Sequence, residues 1–141
     1  MSPFWQAWFR LWLISMILFA LLVAGGALPA TDAPLRLGLS LVSMGPAAEL
    51  TPAARFTTGV LGGVFLGWMV MFWLVVRQAI AMGRAGRPLW VAATAAIIAW
   101  YVLDSTLSVQ TGFGLNLVPN TLALGTFLVG LAGSRVLARE A

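Results

Sequence analysis

The chain of 141 residues contains no cysteine and no histidine, and its eight basic residues are all arginine. Disulfides, thiolate or imidazole metal sites, axial histidine ligation of haem, Ser-His-Asp catalysis and a lysine Schiff base are therefore excluded. Acidic side chains are scarcer still, with Asp32, Glu49, Asp104 and Glu140 forming the whole set. Charged residues make up 9% of the chain, against roughly 25% in a soluble domain. So few charges cannot coat a water-facing surface. The hydrophobic content of 61% and the mean hydropathy of +0.98 point to lipid as the surrounding solvent.

What the sequence does contain is four apolar runs long enough to cross a bilayer, since roughly 20 helical residues span about 30 Å of hydrocarbon. Two begin with a capping residue followed by proline, Ser2-Pro3 and Thr51-Pro52, a helix-start signature. The third opens at Pro88, and the fourth near Asn116, whose amide is placed to cap a first turn containing Pro119. Glycines mark the stops at Gly25-Gly26, Gly83 and Gly112. These signals predict helices over about 4–24, 52–82, 88–110 and 116–137. The expected fold is an all-α integral membrane four-helix bundle, a single domain over 1–141, running up-down-up-down. In the outer loop, about 27–51, Leu35, Leu37, Leu39 and Leu41 alternate as a strand would. An isolated strand would leave its edges unpaired, so a short interfacial helix is preferred, with Asp32 as its cap and Gly45-Pro46 as its stop.

Arginine placement predicts the orientation. Arg10, Arg77, Arg84, Arg87, Arg135 and Arg139 gather at one set of helix ends, and only Arg36 and Arg55 at the other. Basic residues near short loops stay cytoplasmic, which places both termini inside, in what reads as a bacterial inner membrane. Trp5, Trp8, Trp12 and Trp90 fall at the inner ends, where an interfacial aromatic belt is expected; Trp68, Trp73 and Trp100 sit deeper. The first run is too long for an ordinary signal-peptide core, and Pro29 disfavours cleavage at Leu28-Pro29-Ala30, so it is read as an anchor. No basic face recurs, which argues for contact with anionic lipid headgroups and against nucleic acid.

Asp104 is the residue that stands out, because it lies inside the third run. Fifteen residues beyond the inner boundary place it about 22 Å across the membrane. A charge there is costly and has to be offset. Thr94, Tyr101, Asp104, Ser105 and Ser108 recur at helical intervals as one polar stripe, Asn116 and Asn120 open the next helix at the same level, and Arg55 enters the second helix there. One reading is a structural clamp, with Asp104 paired to Arg55 and the serines and asparagines tying three helices together. The other is a proton- or ligand-binding site open to the outer side.

Gly59, Gly63 and Gly67, with Gly62 alongside, form overlapping G-x-x-x-G units that create a groove for a close helix neighbour. That groove serves either packing within the bundle or docking of a second copy or partner complex. Asp32 and Glu49 read as solvated or capping residues, and phosphate-loop, dinucleotide and metalloprotease motifs are missing. No catalytic residue, metal or cofactor is assigned, although non-covalent pigment, quinone or lipid binding between helices needs only apolar walls and a few polar contacts. The expected function is that of a non-enzymatic membrane protein packing against itself, a partner complex or membrane lipids. The alternative is a small transporter or channel built around Asp104.

Overall fold

The computed structural model describes residues 1–46 and 49–138. The expected orientation residue Arg139 and the carboxylate Glu140 lie outside the described residues. Five α-helices account for most of the chain: α1 (Pro3–Gly25), α2 (Ala33–Ser43), α3 (Pro52–Ala81), α4 (Arg87–Gln110) and α5 (Leu117–Ser134). Single 3₁₀ turns at Gly83–Gly86 and Gly114–Asn116 join α3 to α4 and α4 to α5. Among the described residues there is no strand. The alternating leucines fold as helix α2, with Leu35 buried and Leu37 and Leu41 outward. Its first turn begins with Pro34, and a helix satisfies its own backbone where a lone strand would not.

The four long helices are apolar enough to cross a membrane, yet only 22% to 28% of each apolar window is buried inside the protein. The remaining leucines, valines and phenylalanines face outward. That surface is compatible with lipid and not with water, consistent with a small multi-pass integral membrane protein.

The helix starts follow the proline signals, but the caps differ from expectation. Thr51 Oγ1 accepts from the Ala54 amide at 3.2 Å, whereas Ser2, Asp32 and Asn116 occupy cap positions without a side-chain capping bond. Asp32 and Asn116 are engaged elsewhere, as shown below. At the end of α1 the Gly25 carbonyl accepts from the Thr31 hydroxyl at 2.7 Å and from the Leu28 amide at 3.3 Å. The turn after α3 needs glycine twice: Gly83 has φ +57, and a Cβ on Gly86 would strike the Ala79 carbonyl. Helix α5 stops at Ser134, three residues early, because Arg135 adopts a left-handed φ of 54.

Packing assigns the two ends of the bundle. Trp5 of α1 lies against Gly133 of α5, the Phe9 ring packs tilted on Trp90 of α4 with centroids 4.7 Å apart, and Arg87 Nε donates to the Leu137 carbonyl at 3.4 Å. These contacts form the arginine-rich end. At the other end Gly26 of α1 meets Leu35 of α2 and Thr58 of α3, and α2 packs on the Gly114–Asn116 turn. Between them Phe9, Trp12, Phe72 and Phe127 interlock with ring centroids 5.1 to 5.7 Å apart, and the column continues through Trp68 to Trp100. Met69, Ile97 and Leu131 fill the space around it.

In lipid the hydrophobic effect does not drive helices together, so close contact and interhelical hydrogen bonds must do so. Of the groove expected along Gly59, Gly63 and Gly67, only Gly59 takes part, and Gly62 stands where Gly63 was expected. A Cβ on Gly62 would fall on the backbone of Ala24, and one on Gly59 would sit 3.1 Å from the Ala27 methyl, while Gly63 and Gly67 face open space. The close seam between α1 and α3 therefore runs through Gly62 and Gly59. Trp12 and Trp90 are also not interfacial, being 6% and 1% exposed in the core. The indoles of Trp8 and Trp12 each donate at 2.9 Å to a backbone carbonyl of α5, those of Thr126 and Ala123. Gly130 permits this approach, since a Cβ there would lie 2.9 Å from both Phe9 and Trp8.

Gly62→Leu must open the α1–α3 seam and is expected to cost about 1 to 3 kcal/mol, as overpacking does. Gly63→Leu should leave the thermal midpoint in detergent within error of the parent. Equal midpoints for both variants would place the seam elsewhere.

Candidate functional site

At the end covered by α2 the helices enclose a cavity of about 540 Å3. Its walls are Phe19 and Val23 of α1, Leu35, Leu39 and Val42 of α2, Thr58, Leu61, Val64 and Phe65 of α3, and Leu107 of α4; Trp68 and Trp100 form its floor. Leu61, Val64 and Leu107 remain exposed, so the cavity has an open side bounded by α3 and α4. Beneath the floor, Met69, Phe72 and Phe127 are at most 3% exposed and close the way toward the arginine-rich end. Apart from Thr58, the polar groups lie together: Asp104, Ser108 and Thr111 of α4, with Asn116 and Asn120 beside them.

Asp104 lies six residues before the end of α4, about 9 Å along the helix axis. Its Oδ2 accepts from Asn116 Nδ2 at 3.1 Å and from Asn120 Nδ2. Each amide is shared with a serine of α4: Asn116 also donates to Ser108 Oγ at 3.0 Å, and Asn120 to Ser105 Oγ at 3.2 Å. The helical repeat explains the pairing, because Asp104, Ser105 and Ser108 fall on one face of α4, and Asn116 and Asn120 on one face of α5 and the turn before it. Ser105, Ser108 and Asn120 are buried and Asp104 is half-buried. Oδ1 of Asp104 takes no hydrogen bond from the described residues.

Of the expected site residues, Asp104, Ser105, Ser108, Asn116 and Asn120 come together, and two do not join them. Arg55 pairs with Asp32, not with Asp104: its Nη2 lies 2.7 Å from Asp32 Oδ2, and Nη1 donates to the Gly26 carbonyl at 3.4 Å. The seat of α2 brings the Asp32 carboxylate to Arg55, and the two pair. Asp32, 4% exposed, is accordingly neither solvated nor a side-chain cap; it also draws Arg36, at 3.9 Å. Tyr101 turns the other way, its hydroxyl 3.1 Å from Thr121 Oγ1 on the exposed side of the α4–α5 contact. Thr94 bonds its own helix at the Trp90 carbonyl. The clamp thus ties α4 to α5 through neutral amides, and the ion pair separately ties α2 to α3. Glu49 stays exposed.

The cavity walls, Phe19, Phe65, Trp68 and Trp100, were not predicted as site residues. The sequence signal for them was the placing of aromatics within the apolar runs of α1, α3 and α4, which equally suits packing or lipid contact. Among the described residues no three of His, Cys, Asp or Glu cluster as metal ligands. What the arrangement can do chemically is hold: a largely apolar chamber with a carboxylate, a serine and a threonine hydroxyl and two amides gathered together. No protein-family model, curated protein or solved structure matches the chain.

The Asp32–Arg55 pair is half-shielded, with Arg55 22% and Asp32 6% exposed at the side chain. Asp32→Asn and Arg55→Gln should each lower stability by about 2 kcal/mol, between the values for exposed and buried pairs. The double variant should lose less than the sum. Strict additivity in detergent melts would mean that the two side chains do not depend on one another.

Proposed function

We propose that the protein is a non-enzymatic, multi-pass membrane protein that binds an amphipathic small molecule or lipid in the cavity under α2. The observation that carries this reading is Asp104: one oxygen is held by Asn116 and Asn120, the other has no described partner, and the rest of the chamber is almost wholly apolar. A ligand with an apolar body and a cationic or hydrogen-bond-donating head fits that division. The open side between α3 and α4 lets such a molecule enter from the bilayer. The closed floor of Trp68 and Trp100 over Met69, Phe72 and Phe127 favours a holder over a conduit, and so argues against the transporter or channel reading.

In this reading the helices run up-down-up-down with both termini cytoplasmic. The arginine-rich end lies at the inner face of a bacterial inner membrane. Helix α2, apolar on its outward leucines as well as its inward ones, rests at the outer interface.

The test is gentle extraction followed by mass spectrometry for small molecules that remain bound. The parent is expected to retain one amphiphile per chain, and Asp104→Asn to lose most of it, tenfold or more for a buried charge-assisted contact. Thermal stability should fall by less than about 1.5 kcal/mol, because an asparagine still meets Asn116 and Asn120. Unchanged retention with a large loss of stability would leave Asp104 a clamp and nothing more.

A second reading is favoured by Gly63 and Gly67, which face open space beside exposed Val60, Val64 and Met71. This face suits a second copy or a partner complex. If it mediates association, Gly63→Leu should shift the particle in native micelles to a smaller mass. An unchanged mass leaves the face to lipid.

A further inference from the structure

At the opposite end of the molecule, α1 and α3 border a second cavity of about 380 Å3, lined by Phe9, Arg10, Leu13, Trp73, Val76 and Arg77, with Ile80 at its edge. Its two cations face one chamber. Neither Arg10 nor Arg77 has a hydrogen-bond or ion-pair partner among the described residues. Both also lie below the helix ends. Arg10 is seven residues into α1, about 10 Å along the axis, and Arg77 is four residues before the end of α3, about 6 Å.

Two guanidinium groups at that depth stand where headgroup gives way to acyl chain. Each is costly there without an anion, and the anion that resides at this level of a bilayer is a lipid phosphate. Guanidinium forks match phosphate oxygens in geometry as well as charge. The walls below them suit a chain, since Leu13, Trp73 and Val76 are apolar. We propose that this groove is a binding site for one anionic phospholipid, its phosphate held between Arg10 and Arg77 and an acyl chain lying along Leu13, Trp73 and Val76. It is separate from the chamber at Asp104 and needs only that the helices cross a membrane.

The experiment is native mass spectrometry of the full chain in detergent, titrated with phosphatidylglycerol, with phosphatidylcholine of the same chains, and with inorganic phosphate. The parent should take up one phosphatidylglycerol well before phosphatidylcholine, and millimolar phosphate should not displace it. With each arginine near the surface contributing about fivefold, Arg10→Gln with Arg77→Gln should weaken phosphatidylglycerol binding by about thirtyfold. Both side chains are exposed and unpaired in the described structure, so helicity and mass should be retained. Arg10→Lys with Arg77→Lys should bind more weakly than the parent, losing the fork but keeping the charge, and more tightly than the double glutamine variant; Arg36→Gln, at the other end, should keep all of the binding. Equal uptake of the two lipids, or an unchanged affinity in the double glutamine variant, would overturn the proposal. Displacement by inorganic phosphate would show a free-anion site and overturn the lipid assignment.

Discussion

The ion pair between Asp32 and Arg55 decides the character of everything around it. The cation that enters α3 at this level takes the carboxylate that α2 delivers, 2.7 Å away. Asp104 is then left to neutral donors. Asn116 and Asn120 satisfy one of its oxygens and bind α4 to α5, while the other oxygen keeps its capacity to accept. Had Arg55 reached Asp104 instead, both charges would be spent on each other and the chamber would be a plain packing defect. The same ion pair also pins α2 over the mouth of the chamber, so one interaction roofs the site and leaves its acceptor available.

Cohesion elsewhere is of another kind. With lipid outside, burial alone gives no preference for protein over acyl chains, and the bundle depends on contacts that lipid cannot imitate. Gly62 lets α3 touch the backbone of α1 at Ala24, and Gly130 and Gly133 admit the indoles of α1 to the surface of α5. The bonds from Trp8 and Trp12 to carbonyls of α5 fix the rotation of one helix against the other. Such bonds average about 0.6 kcal/mol in membranes, so their value lies in selecting an arrangement more than in strength. The interlocked rings of Phe9, Trp12, Phe72 and Phe127 fill one half of the bundle and leave the cavity to the other.

How much of this was legible follows from what a one-dimensional pattern contains. Span lengths, proline starts and glycine stops are local, and the helices came out within a few residues of expectation, α5 excepted, where Arg135 turns left-handed. The polar cluster of Asp104, Ser105, Ser108, Asn116 and Asn120 was also readable, because a short turn forces the end of α4 against the start of α5. Partner choice was not. Gly59, Gly63 and Gly67 repeat more regularly than Gly62, but regularity does not say which face of α3 meets α1. Arg55 was expected on Asp104, and the sequence does not say that α2 folds back to put Asp32 beside it. Tyr101 sits on the edge of the stripe, where a small rotation of α4 sends its hydroxyl to Thr121. Tryptophan near a helix end serves an interfacial belt or the bundle core equally well; Trp12 is buried with an interhelical bond, and Trp90 is buried without one among the described residues.

Arg55 belongs to Asp32, and in the function proposed above the second oxygen of Asp104 meets a ligand. A density map of the protein extracted directly into lipid nanodiscs tests both halves at once. The account predicts the guanidinium of Arg55 on Asp32 and an elongated density in the chamber whose polar end lies within hydrogen-bonding distance of Asp104. A map with Arg55 turned onto Asp104, or with the chamber closed by its own side chains, would contradict it.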